Sequence, residues 1–414
     1  MTRLIPFLAG TVLTLLPVYS WAAGGEGHAE LSRILFALFA LVLSALLFGS
    51  LARRLGQPTV IGQVVAGVVV GPGLLGWVEV NLTLQALAEF GAIFLMFMVG
   101  LVTRLRDLMA VGKEALLVAI LGIALPMAGG YAWGMFEDHS RLQSLFIGTA
   151  MVATSVGITA QVLKELGVLD SQYARIIMGA AVIDDILGLS ILGVVSGMAT
   201  GGEISVLGVL STLAISIGFV LAVLLIGVPL INRLQPRIDP MLVSNGFGWG
   251  VAASLGFAAL SGVAGLAPII GALLIGMVLA EVKDQYDFED KVHALESFLA
   301  PVFFAMVGVQ LPLAALGSAE VLLNGAILTV IAVLGKWLGG LVIAPMQGLN
   351  TAHKVGVGMV PRGEVGLIVA GLGLSSGLLT PVLFAEVVVM IVATTVLAPL
   401  VLRRVIVREQ PQAT

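Results

Sequence analysis

Two adjacent carboxylates, Asp184 and Asp185, sit inside the apolar run Ala181-Val182-Ile183-Asp184-Asp185-Ile186-Leu187-Gly188. A carboxylate at bilayer depth costs roughly 2.5–3.5 kcal/mol on insertion scales, so an intramembrane Asp reads as part of an ion or proton pathway. Neighbours on a helix point about 100° apart, and the two therefore cannot face one partner. A carboxylate kept in such a place can hold a proton in one state and a cation in another. Lys336, in Leu334-Gly335-Lys336-Trp337-Leu338, lies far from either end of its apolar stretch. It reads as a buried ammonium paired with Asp184 or Asp185, the plainer alternative being a lysine that reaches the cytoplasmic interface. Pro361-Arg362-Gly363-Glu364 sets two opposite charges around a glycine in another apolar run, which demands a polar cavity. Thr154 and Ser155 interrupt a further run, as ion ligands or as ordinary small residues of a packing face. Ionised together, Asp184, Asp185, Lys336, Arg362 and Glu364 sum to −1, so one monovalent cation or one proton would neutralise the set. That arithmetic favours exchange of cation against proton.

Such residues need helices that cross a bilayer, and the composition supplies them. Hydrophobic residues make up 59% of the 414 and charged residues 11%, with a mean hydropathy of +1.12. The class is an all-α polytopic membrane protein, since a barrel would alternate in short strands. The 52 glycines suit close helix packing and broken helices, and the absence of cysteine excludes disulfides and thiolate chemistry. No phosphate loop, zinc-ligand cluster or nucleophile-and-base set occurs, so the chain reads as neither an enzyme nor a nucleic-acid binder, with no cofactor.

Arg3, the apolar stretch 4–18 and the small residues Ser20-Trp21-Ala22 read as a signal peptide over 1–23, with an uncleaved first span as the alternative. About thirteen transmembrane helices follow, at 31–52, 58–76, 84–103, 114–135, 142–163, 174–198, 205–231, 241–261, 264–281, 294–312, 319–345, 352–376 and 379–402. Setting aside Arg3, Lys336 and Arg362, every Lys and Arg except Arg33 and Arg141 falls in or beside alternate connections. By the positive-inside rule that side is the cytoplasm, which puts the mature N-terminus outside and the C-terminus inside. Six spans, one connecting span and six more make an inverted repeat. The breaks at Thr154-Ser155 and Pro361–Glu364 fall mid-span at corresponding places in its halves, where half-helix ends offer partial charge to an ion. The histidines His28, His139, His293 and His353 read as solvated loop residues.

Taken together, Ile177–Gly188 with its Asp pair, Pro361-Arg362-Gly363-Glu364-Val365-Gly366, Pro301–Gly308 and Pro58–Pro72 resemble the cation:proton antiporter-2 family, which includes the Kef-type potassium systems. The resemblance implies a sodium/hydrogen exchanger transmembrane domain over 24–414 with two broken, crossing helices. Its core would comprise approximately 114–198 and 318–405, its dimer (panel) domain approximately 30–107 and 241–312, and its linker helix approximately 205–231. It implies a homodimer in the lipid bilayer of the bacterial inner membrane, with the core moving like an elevator. Asp185 is then the carrier of the transported monovalent cation and the proton. Asp184 pairs with Lys336, while Arg362 and Glu364 balance the crossing. Kef-type members often continue into a nucleotide-binding regulatory domain. This chain stops at Thr414, so no such domain and no nucleotide are expected. The expected activity is Na⁺ or K⁺ exchange against H⁺. A gated potassium efflux channel or a sodium-coupled organic-anion symporter is the alternative.

Overall fold

A computed structural model describes residues 26–103, 105–199, 206–282, 288–311 and 318–408. The expected signal peptide lies outside the described residues. Among these residues all regular structure is helical, as lipid requires, because a helix satisfies its own backbone groups. The long helices are α1 (Glu26–Arg54), α2 (Thr59–Val70), α3 (Leu82–Val102) and, after the short α4 (Leu105–Ala110), α5 (Gly112–Phe136). Next come α6 (Arg141–Ala150), α7 (Val156–Glu165), α8 (Gln172–Ala199) and α9 (Val206–Ala222). A π-helical turn over Val223–Gly227 leads into α10 (Val228–Val263), followed by α11 (Pro268–Leu279) and α12 (Phe288–Val309). The chain closes with α13 (Ala319–Leu341), the short α14 (Ala344–Gln347), α15 (Leu349–Gly358), α16 (Glu364–Ser375) and α17 (Pro381–Val407). Nine helices among the described residues are long and apolar enough to cross a membrane.

The departures from the expected spans are local. The stretch 58–76 is helical only to Val70, because Gly71-Pro72-Gly73 follows and proline cannot continue the ladder. The polar stretch between 231 and 241 reads as a connection yet stays helical, since a helix pairs its own amides at an interface. The turn is concentrated instead at Asn245, whose φ of −156° and ψ of 58° are not helical. The breaks at 151–155 and 359–363 are real: α6 stops at Ala150 before α7 restarts at Val156, and α15 stops at Gly358 before α16 restarts at Glu364.

The helices pack in two groups. In one, α3 lies against α11 and α12, α2 against α1 and α12, and α10 against α11. Here the backbones touch. A Cβ on Gly67 would stand 1.8 Å from the Ala305 carbonyl oxygen, and one on Gly308 would stand 2.0 Å from that of Val64. In the other group α13 is central, packed on α5, α15 and α17, while α5 also meets α6 and α8, and α16 meets α6 and α17. The groups meet where α7 lies on α2 and α3, and α9 with its π turn runs from α8 to α11.

Candidate ion site at the helix crossing

Four helix ends converge in the second group. The extended strands of chain between α6 and α7 and between α15 and α16 cross there, and the Ser155 amide donates to the Pro361 carbonyl at 2.8 Å. Threonines tie the crossing from both sides. The Thr159 hydroxyl donates to the Gly358 carbonyl at 2.7 Å, Thr154 donates to that of Met359 at 3.4 Å, and Thr395 of α17 donates to that of Arg362. Gly363 must lack a side chain, since a Cβ there would lie 2.7 Å from the Ser155 Oγ.

The helix ends carry partial charges of opposite sign, and a breach in the backbone ladder leaves carbonyls to satisfy. Arg362, with no exposure, does so at the C-terminal end of α15. Its Nη1 donates to the carbonyls of Met359 at 3.3 Å and Val360 at 3.0 Å. Its Nε and Nη2 are buried without a hydrogen-bond partner among the described residues. Glu364 opens α16 on the other side of the crossing.

Next to the crossing lies a bidentate ion pair. The Lys336 Nζ donates to Asp184 Oδ1 at 2.8 Å and to Oδ2 at 3.0 Å, with both side chains wholly buried. Gly122 of α5 lies beside the lysine, where a Cβ would stand in ordinary contact, 3.4 Å from its Cδ and 3.6 Å from its Nζ. Asp185 differs from its neighbour. It retains 8% exposure against 1% for Asp184, and Lys336 holds both Asp184 oxygens. Both aspartates border a cavity of about 10 Å³, with Thr149 and Ala153 of the α6–α7 chain and Val365 and Val369 of α16. That volume is near the least that holds one water. The fold thus brings Asp184, Asp185, Lys336, Thr154, Ser155 and Arg362 into one buried region, with Glu364 at its edge.

The transmembrane family described as sodium/hydrogen exchanger matches residues 41–408. The chain belongs to the sodium/hydrogen exchanger family. As a member of a transporter family it is not an enzyme. Curated relatives in that family include the high-affinity Na⁺/H⁺ antiporter NhaS3 of Synechocystis sp., 33% identical over 91% of this chain and 90% of the relative. Another is the Na⁺/H⁺-K⁺ antiporter GerN of Bacillus cereus, 36% identical over 89% of this chain and 95% of the relative. Among solved structures, the sodium proton antiporter MjNhaP1 of Methanocaldococcus jannaschii at pH 8 superposes with a TM-score of 0.62 at 17% identity, over 90% of this chain and 96% of that one. It shares the fold.

Other residues of this exchanger's crossing were not legible beforehand. Thr159 and Thr395 sit in ordinary helical sequence, and nothing marks them as the partners of broken-helix carbonyls. Glu386 carries the signal that singles out Asp184, a carboxylate within an apolar run, and it is 2% exposed. Three histidines lie on helices, not in loops: His28 on α1, His353 on α15, where it accepts from the Trp337 indole at 2.8 Å, and His293 on α12, exposed and 3.1 Å from Glu296. A pattern of apolar residues cannot separate loop from helix start at such positions.

Proposed function

We propose that this exchanger is a monovalent cation/proton antiporter in which Na⁺ or K⁺ and H⁺ compete for Asp185. One observation carries the reading: both oxygens of Asp184 are occupied by Lys336, and Asp185 is the more accessible carboxylate at the cavity. The charges of Asp184, Asp185, Lys336, Arg362 and Glu364 sum to −1, and Asp185 is the carboxylate that takes the ligand. Loading it with a cation or a proton removes the net charge, and a neutral core crosses the hydrophobic barrier far more readily than a charged one. An empty site stays put, which suppresses leak. Thr154 and Ser155 offer hydroxyl oxygens of the kind that suits a hard monovalent cation.

The same reading extends to the architecture. Nine long helices, the short α2 and α11 and the broken pairs α6/α7 and α15/α16 make thirteen crossings, arranged as two inverted six-helix repeats around α9. The crossing group serves as the core, the glycine-packed group as the dimer (panel) domain, and α9 with the π turn as the linker. The protein would form a homodimer in the bacterial inner membrane, with its N-terminus periplasmic after signal cleavage and its C-terminus cytoplasmic. The cavity the aspartates border, about 10 Å³, is of ion or water size, and a roomier one of about 620 Å³ opens where α7 faces α1, α2 and α12.

The test is a pH-dye assay on proteoliposomes, with Na⁺, K⁺, Li⁺ or choline added in turn. Wild-type protein should move protons when Na⁺ or K⁺ is added, and Asp185→Asn should abolish this while remaining folded and inserted. Cation-dependent proton movement retained in Asp185→Asn would overturn the assignment.

A further inference from the structure

Glu386 is a buried carboxyl outside the ion site. It lies on α17, six positions after the N-cap Thr380, and is 2% exposed. Its Oε1 accepts from the Asn324 amide of α13 at 2.9 Å. Its Oε2 is buried with no hydrogen-bond partner among the described residues. Among the described residues the charged groups that act on it are Glu320, in the first turn of α13, and Glu137, just past the end of α5, both acidic and both exposed. From α7 and α15, which also pack on α17, no described charged side chain acts on it.

An ionised carboxylate held by one neutral amide, with its second oxygen bare and two further acids nearby, is the least favourable way to bury this group. The neutral acid fits the same space at much lower cost. Tight packing leaves little room for a counter-ion to enter, for a Cβ on the adjacent Gly325 would stand 2.4 Å from Val389 and 3.1 Å from the Glu386 carbonyl oxygen. We propose that Glu386 is a second proton-binding site of this chain, distinct from Asp185 and loaded from the end of the core at which α13 and α17 begin. The chemistry is a plain protonation, in which the carboxylate takes a proton from water at that end and returns it there. The exposed Glu320 and Glu137 concentrate protons at its mouth.

The position gives that proton a consequence. Asn324 shares α13 with Lys336, twelve residues on and about 18 Å deeper. Glu386 shares α17 with Thr395, which holds the Arg362 carbonyl. Removing the proton puts a bare charge between the two helices that brace the ion site, and their packing must loosen to admit water. Transport therefore falls as the pH on that side rises past the point at which Glu386 ionises. This rests on the antiporter reading and on its orientation, which makes that side the outer one.

Glu386→Gln tests it, because the amide copies the neutral acid and cannot ionise. In proteoliposomes with the inner pH fixed, the variant should match wild type at acidic outer pH. It should lack the several-fold fall that wild type shows at alkaline outer pH. Infrared difference spectra of purified protein between acid and alkaline buffer should contain a carboxylic-acid C=O band that Glu386→Gln removes. Superimposable pH profiles together with an unchanged band would reduce Glu386 to a packing residue and overturn the proposal. If the variant does not fold, Asn324→Ala keeps the carboxyl and removes its donor, so the band must shift, and an unmoved band is equally fatal. The infrared readout needs no transport, so a wild type that moves no protons would sink the antiporter reading without touching this one.

Discussion

Where α2 meets α12, Gly67 and Gly308 bring bare backbone against bare backbone, and nothing charged lies between them. Where α6 and α7 meet α15 and α16, the backbone is also close, but the ladder is broken, and threonines, a guanidinium and an ammonium–carboxylate pair occupy the gap. The first contact leaves all carbonyls in their helices, so small residues and dispersion suffice. The second gives up helical hydrogen bonds and must replace them from side chains and from the backbone of the crossing segment, because lipid offers no water to do so. At this crossing the polar groups answer a breach in the helices. The same breach makes a place for an ion.

The contrast can be broken or sharpened by substitution. Lys336→Met should have the largest effect on stability, on the order of 3–5 kcal/mol, since it strands Asp184 as a buried unpaired charge. Thermal unfolding in detergent reads this, and the double variant Asp184→Asn/Lys336→Met should recover most of the loss. If it does not, the pair is not the source of the cost. Gly67→Ala should follow, at about 1–3 kcal/mol or more, because its methyl would collide with the Ala305 carbonyl and the backbones must part. In that variant the protein that still folds should retain exchange per molecule, and selective loss of transport instead would dissolve the distinction between the two groups. Thr159→Val should cost the least, about 1 kcal/mol for one hydrogen bond to Gly358. Its cation dependence should nonetheless shift measurably, while a comparable valine at Thr103, whose hydroxyl bonds only within α3, should leave transport unchanged.

Much of this was legible in the chain. Asp184, Asp185, Lys336 and Arg362 stood out because a charge in an apolar run has no cheap explanation, and that argument needs no coordinates. The breaks at Thr154-Ser155 and Pro361–Glu364 were legible for a related reason, as polar and helix-breaking residues cluster there. Glu386 obeys the same rule and was open to the same reading. Thr159 and Thr395 were not, because a threonine inside a helix commonly bonds its own preceding turn, as Thr394 does with Met390. Only the approach of a second chain segment turns such a hydroxyl outward. The end of α2 could be read from Gly71-Pro72-Gly73, whereas the bend at Asn245 could not, since nothing around it forbids a helix.

What the sequence determined by itself is therefore the class, the helices and the charges that had to be accounted for. These follow from transfer free energies and helix geometry, which act over a few residues at a time. Which aspartate takes the lysine, which carbonyls the arginine serves, and which carboxyl is left with a bare oxygen were decided by tertiary structure. Adjacent residues such as Asp184 and Asp185 have the same neighbours along the chain. They differ only in the direction each points and in the helix that meets them, and those depend on contacts between residues more than a hundred positions apart, as between Asp184 and Lys336.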